Sequence, residues 1–171
     1  MWQRGDIATT GAHDRGTVQV GPSTVEVAFA PGEGPAIDHL IAHLIGRARR
    51  RLKMGSMLIT SGAILGALND VLHHNRVREY GGVYDRTQME GVFEQWRGQP
   101  SEWKIAAFEQ VAAGLAGKRS TKYTPTSPHD FMHNKVIVAD DVVSTGSFNL
   151  SANATRNAEN VLRLSSRDLA D

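Results

Sequence analysis

Apolar and polar positions recur with two different periods along the chain, and these periods predict strands interspersed with helices. Residues 24–30 alternate with a period of two, which is typical of a half-buried strand. In residues 36–51 the apolar positions instead follow the spacing of an amphipathic helix. A buried strand is predicted next, over residues 52–60, and Ser61 is placed to cap a helix that runs to about His74.

The second half of the chain continues the same alternation. It predicts in turn a weak strand, two helices and a loop with two prolines, at residues 77–84, 87–97, 101–115 and 118–130. Gly117 is expected to end the second of these helices. Two short strands, a polar helical turn near residues 151–157 and a last strand near residues 159–164 complete the pattern.

These elements predict one α/β domain, built as a mixed β-sheet flanked by helices. The length of 171 residues suits one such domain. We assign the domain to residues 25–171, and we interpret residues 1–24, which are polar and dotted with glycine, as a lead-in or linker.

Composition narrows the classes of function. The 19 basic and 18 acidic residues leave a net charge of +1, which disfavours binding of nucleic acid through bulk charge but leaves a local basic groove open. The absence of cysteine excludes disulfides, thiol nucleophiles and cysteine-ligated metal sites. No apolar run is long enough to span a bilayer and no signal-peptide pattern is present, so we expect a cytoplasmic protein without a transmembrane segment.

The stretch most informative about chemistry is residues 131–161. His133 and Lys135 lie two residues apart in an apolar, β-branched run, and alternate side chains of a strand point to the same face. A cation beside an imidazole on one face of a strand suits the binding of an anion, so the pair is a candidate anion site.

The hairpin that follows decides which polar residues join this pair. A two-residue loop would turn Ser147 and Asn149 away from it. A three-residue loop at residues 140–142 would instead place Lys135 opposite Ser147 and His133 opposite Asn149. We predict the three-residue loop, because it brings all four side chains to one face.

These four side chains suit a phosphodiester. Lys135 can neutralise a non-bridging oxygen, and Ser147 and Asn149 can donate hydrogen bonds to the charge that grows in the transition state. A neutral imidazole at His133 can attack phosphorus. Such a ring needs an acceptor that orients it, and Glu159 is the candidate.

The spacing of the polar residues resembles the HKD motif of the phospholipase D superfamily. The order is His133-x-Lys135, then Asp140, then Gly146-Ser147-x-Asn149, with Glu159 in the acidic segment downstream. One departure is that the stretch between Asp140 and Gly146 has one residue fewer than is usual. A hairpin loop shortened by one residue accommodates that difference.

The resemblance implies hydrolysis of a phosphodiester, of phospholipid or nucleic acid, without metal or other cofactor and through a phosphohistidine intermediate. Two motifs meet at a two-fold axis in the family, and one histidine is the nucleophile while the other protonates the leaving group. Asp140 is implied to be structural, with a side chain that can bond nearby backbone amides in the turn, and Gly146 belongs to the same structural part of the motif.

The chain carries one such motif, because none of its other six histidines has a lysine two residues on. We expect either a homodimer whose two copies complete the site, or the C-terminal half of a two-motif protein that pairs with another chain. Residues 2–20 look like the tail of a preceding repeat, which favours the second origin. The alternative to an enzyme is a catalytically inactive half-domain that binds phosphate or a partner.

Two basic clusters have different interpretations. Residues 47–51 hold four arginines that suit the solvated C-terminal end of a helix. Lys118, Arg119 and Lys122 lie in the loop that leads to His133, where they could steer a substrate phosphate or belong to a plain exposed loop.

Overall fold

One mixed sheet positions the residues singled out above. The structure, a computed structural model, describes residues 16–171. The described strands are β1 Gly16–Val20, β2 Ser23–Ala30, β3 Arg51–Ser56, β4 Glu79–Asp85, β5 Leu115–Lys118, β6 Lys135–Ala139, β7 Val142–Gly146 and β8 Glu159–Ser165. Their order in the sheet is β1-β2-β8-β7-β6-β3-β4-β5. The strands β3, β4 and β5 are parallel to one another, and the other neighbours are antiparallel.

Helices connect the strands and cover the sheet. They are α1 Gly34–Arg47, α2 Gly62–His73, α3 Arg86–Trp96, α4 Trp103–Ala112 and α5 Arg167–Ala170, with a short 3-10 helix at Ala152–Arg156. The predicted α/β class, a mixed sheet with flanking helices, is confirmed. Within residues 16–171, no helix is long and apolar enough to cross a bilayer.

The core lies between the sheet and the helices α1, α2 and α4. Ile37, Ile41 and Ile45 of α1 are buried, as the amphipathic pattern predicts, and pack with α2 and with side chains of β3 and β6, whereas Leu40 of the same apolar stripe is exposed. Ser61 caps α2 as predicted, since its Oγ accepts a hydrogen bond from the Ile64 amide at 3.3 Å. This core fixes the strands β3 and β6 at the centre of the sheet.

Several predicted element boundaries differ in the structure, and the strand predicted over residues 52–60 already ends at Ser56. The strand β1 lies inside the predicted lead-in and pairs with β2, because residues 16–20 alternate well enough to add an edge strand; residues 1–15 lie outside the described part. The strand β4 is not interrupted at its glycines. At Gly82, φ is +151° and a Cβ would lie 1.9 Å from the Met54 carbonyl oxygen, so glycine permits a close strand pairing rather than breaking it. Gly117 lies in β5 and does not end a helix.

The predicted three-residue hairpin loop is wrong. In the structure β6 pairs with β7 in the register Val136↔Thr145 to Ala139↔Val142, which leaves a two-residue loop of Asp140 and Asp141. Asp140 adopts φ +53°, a conformation that aspartate tolerates in tight turns. The same register places Lys135 opposite the Gly146 position, so it does not carry the predicted pairings with Ser147 and Asn149.

A β-bulge follows at the end of β7. The amides of Ser147 and Phe148 both donate to the Asn160 carbonyl, at 3.1 and 3.4 Å, so two residues of one strand face one residue of β8. Gly146 precedes the bulge with φ +140°, and a Cβ there would lie 2.4 Å from the Asn160 carbonyl oxygen. Alternation counted from the hairpin therefore does not extend past Gly146, so the β6–β7 register alone does not determine which face Ser147 and Asn149 take.

Candidate active site

His133 and Lys135 lie at the N-terminal end of β6, an inner strand of the sheet. His133 is exposed in the segment that enters the strand, and Lys135 is its first residue, half-buried and paired in register with Ser56 of β3. The Lys135 Nζ donates a hydrogen bond to the His133 carbonyl oxygen at 2.8 Å. The ammonium is thereby held close to the residue that carries the imidazole.

The local electrostatics favour a neutral imidazole. Partial burial lowers the pKa of His133, the positive charge of Lys135 lowers it further, and Glu159 opposes both effects. Burial also lowers the pKa of Lys135, again with Glu159 acting in the opposite direction. The three residues that sequence analysis assigned to catalysis therefore interact electrostatically, and burial and Lys135 shift the pKa of His133 in the direction that favours the neutral ring.

Glu159 begins β8 beside this pair. Its Oε1 accepts a hydrogen bond from the Asn157 Nδ2 at 3.3 Å, and among the described residues it forms no hydrogen bond with His133. Its influence on His133 and Lys135 is through charge across space. The predicted orienting contact is therefore absent from the resting arrangement.

Ser147 is tied to the same strand end. Its Oγ accepts a hydrogen bond from the Asn160 amide at 3.0 Å, and its own amide donates to the Asn160 carbonyl. The Ser147 hydroxyl keeps its proton available for another acceptor, since it serves as acceptor in this contact. The bulge thus places Ser147 next to the residue that follows Glu159.

Asn149 is less closely connected to the group. Its Oδ1 is buried and has no hydrogen-bond partner among the described residues, while its backbone carbonyl accepts from the Ser151 amide at 2.7 Å. The structure gives it no hydrogen bond to His133 or Lys135 within the described chain.

Asp140 lies at the opposite end of β6 from Lys135. Its carboxylate accepts hydrogen bonds from the amides of Arg49, Arg50 and Arg51, at 2.9, 2.7 and 3.1 Å. Partial burial acts to raise the pKa of Asp140, but these amides and the Arg50 guanidinium together hold it below its usual value. The carboxylate thus joins the hairpin to the α1–β3 junction rather than to the neighbouring amides of its own turn, and it ends α1 short of the predicted residue 51.

Sequence analysis missed Asp85, which is fully buried at the end of β4. Its Oδ1 accepts from the Ser120 hydroxyl at 2.7 Å and from the Gln88 amide at 3.1 Å. Its Oδ2 accepts from the amide of Met132, the residue before His133, at 2.9 Å. An aspartate between a strand and a helix signals the cap of α3, but nothing local signals the contact with Met132.

The loop between β5 and β6 carries a row of rings that leads to His133. Tyr123, His129, Phe131 and His133 follow one another with centroids 5.5, 5.7 and 5.4 Å apart. We refer to these four side chains as the aromatic row. No spacing signal in the sequence predicts it, because a bend of the loop brings Tyr123 and His129 together.

The described residues do not form an evident metal-binding site. Within residues 16–171, histidine and carboxylate side chains form no cluster of three or more that could hold a metal ion. The geometry at His133 is instead that of a ring, an ammonium and a carboxylate, which can bind and attack an anionic ester.

Comparison with known proteins places this arrangement in a family. Residues 41–171 match the family described as "Cardiolipin synthase, PLD-like domain". No curated protein matches the chain significantly.

Solved structures agree with that assignment. The phospholipase D family member Nuc of Salmonella typhimurium is 25% identical, with a TM-score of 0.61 over 86% of this chain and 87% of that one. NucT from Helicobacter pylori is 18% identical with a TM-score of 0.61 over 86% and 89%. Phosphatidylserine synthase of Haemophilus influenzae is 14% identical with a TM-score of 0.60, and the match covers 92% of this chain but 36% of that longer one. The chain belongs to the phospholipase D-like family.

Proposed function

We propose that the chain is a metal-independent phosphodiester hydrolase that forms a phosphohistidine intermediate on His133. The observation that carries this proposal is the exposed imidazole of His133, whose pKa is lowered by burial and by Lys135, beside the carboxylate of Glu159. A neutral imidazole with an adjacent cation is both the nucleophile and the anion site that attack on a phosphodiester requires. Membership of a phosphodiesterase superfamily supports the same chemistry.

The reaction proceeds in two displacements. A ring nitrogen of His133 attacks phosphorus, the bond from phosphorus to the leaving oxygen breaks, and a second imidazole gives a proton to that oxygen. Water then attacks the phosphohistidine, gives its proton to the second imidazole, and releases a phosphomonoester and free His133. Lys135 binds a non-bridging oxygen throughout, with further hydrogen bonds donated by Ser147 and Asn149, and Glu159 orients the His133 ring once substrate has entered.

The second imidazole is His133 of a second copy of the chain. One motif supplies only half of the residues that this reaction needs, and an isologous dimer brings two copies of the same surface together. The substrate is a phospholipid or nucleic-acid phosphodiester. The family description and the name of phosphatidylserine synthase support a phospholipid, whereas the exposed rings and cations of the loop between β5 and β6 favour nucleic acid.

The test is turnover of bis(p-nitrophenyl) phosphate in excess EDTA, with His133→Asn compared with His43→Asn. His43 is exposed on α1, outside the site, and serves as the matched control. We expect the wild type and the control to turn over the ester in chelator and His133→Asn to be inactive. Turnover that survives His133→Asn, or that disappears with EDTA, contradicts the mechanism.

The dimeric part of the proposal has its own measurement. Wild type is mixed with increasing His133→Asn under conditions of subunit exchange, at constant total protein. A site built from two copies loses activity as the square of the wild-type fraction, whereas a self-contained site loses it linearly. A linear dependence, or a wild type that is monomeric and inactive, contradicts a shared site; the second result supports the inactive half-domain.

A further inference from the structure

The aromatic row is the feature that the hydrolytic mechanism leaves unexplained. It extends from the His133 ring through Phe131 and His129 to Tyr123, with successive centroids 5.4 to 5.7 Å apart. Tyr123 is 58% exposed and His129 is also exposed, so part of each side chain is accessible to a ligand from solvent. Rings that served only to pack the loop would be expected to bury their faces in the core.

The loop that carries the row is held at its base. Asp85 binds the Ser120 hydroxyl and the Met132 amide, which are the two ends of the loop. Within the loop, the Asp130 carboxylate accepts from the Thr121 amide at 2.7 Å and from its hydroxyl at 3.2 Å. A platform fixed in this way orders its rings before a ligand arrives, which lowers the entropic cost of binding.

Positive charge accompanies the rings. Lys118, Arg119 and Lys122 lie at the start of the loop, and Lys118 donates to the Asp130 carbonyl oxygen. Arg119 and Lys122 are exposed, and neither forms an ion pair with another residue of the described chain. Exposed rings in the same loop as two cations without an ion-pair partner in the described chain form a pattern that suits an unpaired nucleic-acid strand, in which bases stack on rings and phosphates face cations.

We infer that the aromatic row is a stacking platform for the bases of single-stranded nucleic acid, whose backbone passes Arg119 and Lys122 on its way to His133. This inference rests on the proposed function for the position of the cleaved phosphate. Bases within a duplex are already stacked on one another, so the platform selects the single strand. The hydroxyl of Tyr123 and the ring nitrogens of His129 make the row too polar for acyl chains, which disfavours a lipid ligand.

The experiment measures binding of a fluorescent 20-mer of oligothymidylate by anisotropy. All variants carry Lys135→Met so that the probe is not cleaved while all four rings of the row are retained, and the comparison is made within that background. Tyr123→Ala is expected to raise the Kd about 5- to 100-fold, because loss of one stacked base weakens binding by that factor. Tyr123→Phe keeps the ring and is expected to bind as the parent does.

Two controls separate stacking from general effects. Trp103→Ala removes another exposed aromatic side chain, on α4 and outside the row, and is expected to leave the Kd unchanged. Lys122→Ala is expected to weaken binding and to reduce the slope of log K against log salt concentration by about one, because one phosphate contact is lost.

Three results overturn the inference. The first is an unchanged Kd for Tyr123→Ala, and the second is an equal loss of affinity for a duplex of the same length. The third is a loss of affinity that is confined to phosphatidylglycerol vesicles. The last result assigns the row to a lipid surface. Turnover of bis(p-nitrophenyl) phosphate by the wild type separates the two proposals. If Tyr123→Ala weakens binding but the wild type shows no turnover, the stacking inference is supported and the proposed hydrolase activity is contradicted. If the wild type shows turnover but Tyr123→Ala does not weaken binding, the hydrolase activity is supported and the stacking inference is contradicted.

Discussion

The polar side chains at the two ends of β6 differ in how many of their hydrogen-bonding partners the protein itself supplies. At one end, the Asp140 carboxylate is saturated by three backbone amides from the α1–β3 junction. At the other end, His133 and Lys135 have pKa values lowered by burial, and Glu159 acts on them only across space. One short motif therefore supplies both an anchor, held by three backbone amides, and the candidate reactive centre that we propose binds the substrate.

The largest expected effect is a loss of catalytic rate on substitution at the end of β6 that carries His133 and Lys135. Lys135→Met keeps the length of the side chain but removes the charge that would bind a phosphate oxygen, so kcat should fall by about two to three orders of magnitude with little change in Tm. The assay is hydrolysis of bis(p-nitrophenyl) phosphate, with thermal unfolding measured in parallel. Lys53→Met, on the neighbouring strand and paired with Glu79, is the matched control. A similar loss in both variants would mean that the charge acts generally rather than at the site.

Substitution of Asp140, at the other end of β6, should lower the stability of the protein rather than its catalytic rate. Asp140→Ala leaves the three amides without their acceptor, and we expect the free energy of unfolding in urea to fall by about 2 kcal/mol. Turnover per folded molecule should be retained. Asp141→Ala removes an exposed, solvent-screened ion pair with Arg50 and should cost much less stability than Asp140→Ala.

The pH dependence of stability follows from the lowered pKa of Asp140. A carboxyl whose folded pKa lies below its unfolded value of about 3.9 contributes stability above that pH, and the contribution disappears as pH falls through the folded pKa. Asp140→Ala should therefore lose more stability at pH 6 than at pH 2. An equal loss at both pH values would show that the charge of the carboxylate is not involved.

A smaller effect on rate is expected from Asp85, which positions the reactive end without touching substrate. An asparagine offers one acceptor oxygen in place of two, so Asp85→Asn should release the Met132 amide and loosen the segment that carries His133. We expect kcat to fall about tenfold, with KM nearly unchanged. Ser61→Ala removes the cap of α2 and should cost about 1 kcal/mol of stability with no change in kcat. Parallel behaviour of the two variants would reduce Asp85 to a structural role.

The smallest effect is a shift in pH profile. Glu159 raises the pKa of His133 against burial and Lys135, so Glu159→Gln leaves those two effects unopposed and lowers that pKa further. The acidic limb of kcat/KM, which reports deprotonation of the free imidazole, should move to lower pH. Glu79→Gln, at the start of β4, should leave the limb in place. A limb that moves to higher pH in Glu159→Gln contradicts the electrostatic role.

The periodicity of the chain was enough to predict most elements near the site. Alternation and capping signals predicted the existence of β6 and the position of α2, because these features depend on neighbours in sequence. The predicted placement of His133 on the strand was wrong, since β6 begins at Lys135 and His133 lies in the segment before it. The spacing of His133, Lys135 and Glu159 was also sufficient to select the residues that the structure brings into electrostatic contact.

Long-range contacts account for what the sequence could not predict. The hairpin register depends on Asp140, whose partners lie about ninety residues earlier in the chain, and on a bulge formed with Asn160. The contact between Asp85 and Met132 likewise joins residues far apart in sequence. The local sequence pattern carries no information about such pairs of residues, and their contacts are evident only in the three-dimensional structure.

The double attachment at Asp85 has a consequence for how this protein can change. Because Ser120 and Met132 bind the same buried carboxylate, the loop between them is closed at its base independently of its length and composition. We expect that residues 121–131 can be replaced or lengthened while His133 keeps its position in the fold. Exchange of this loop between relatives would then change the surface beside His133 without changing the strand that follows it.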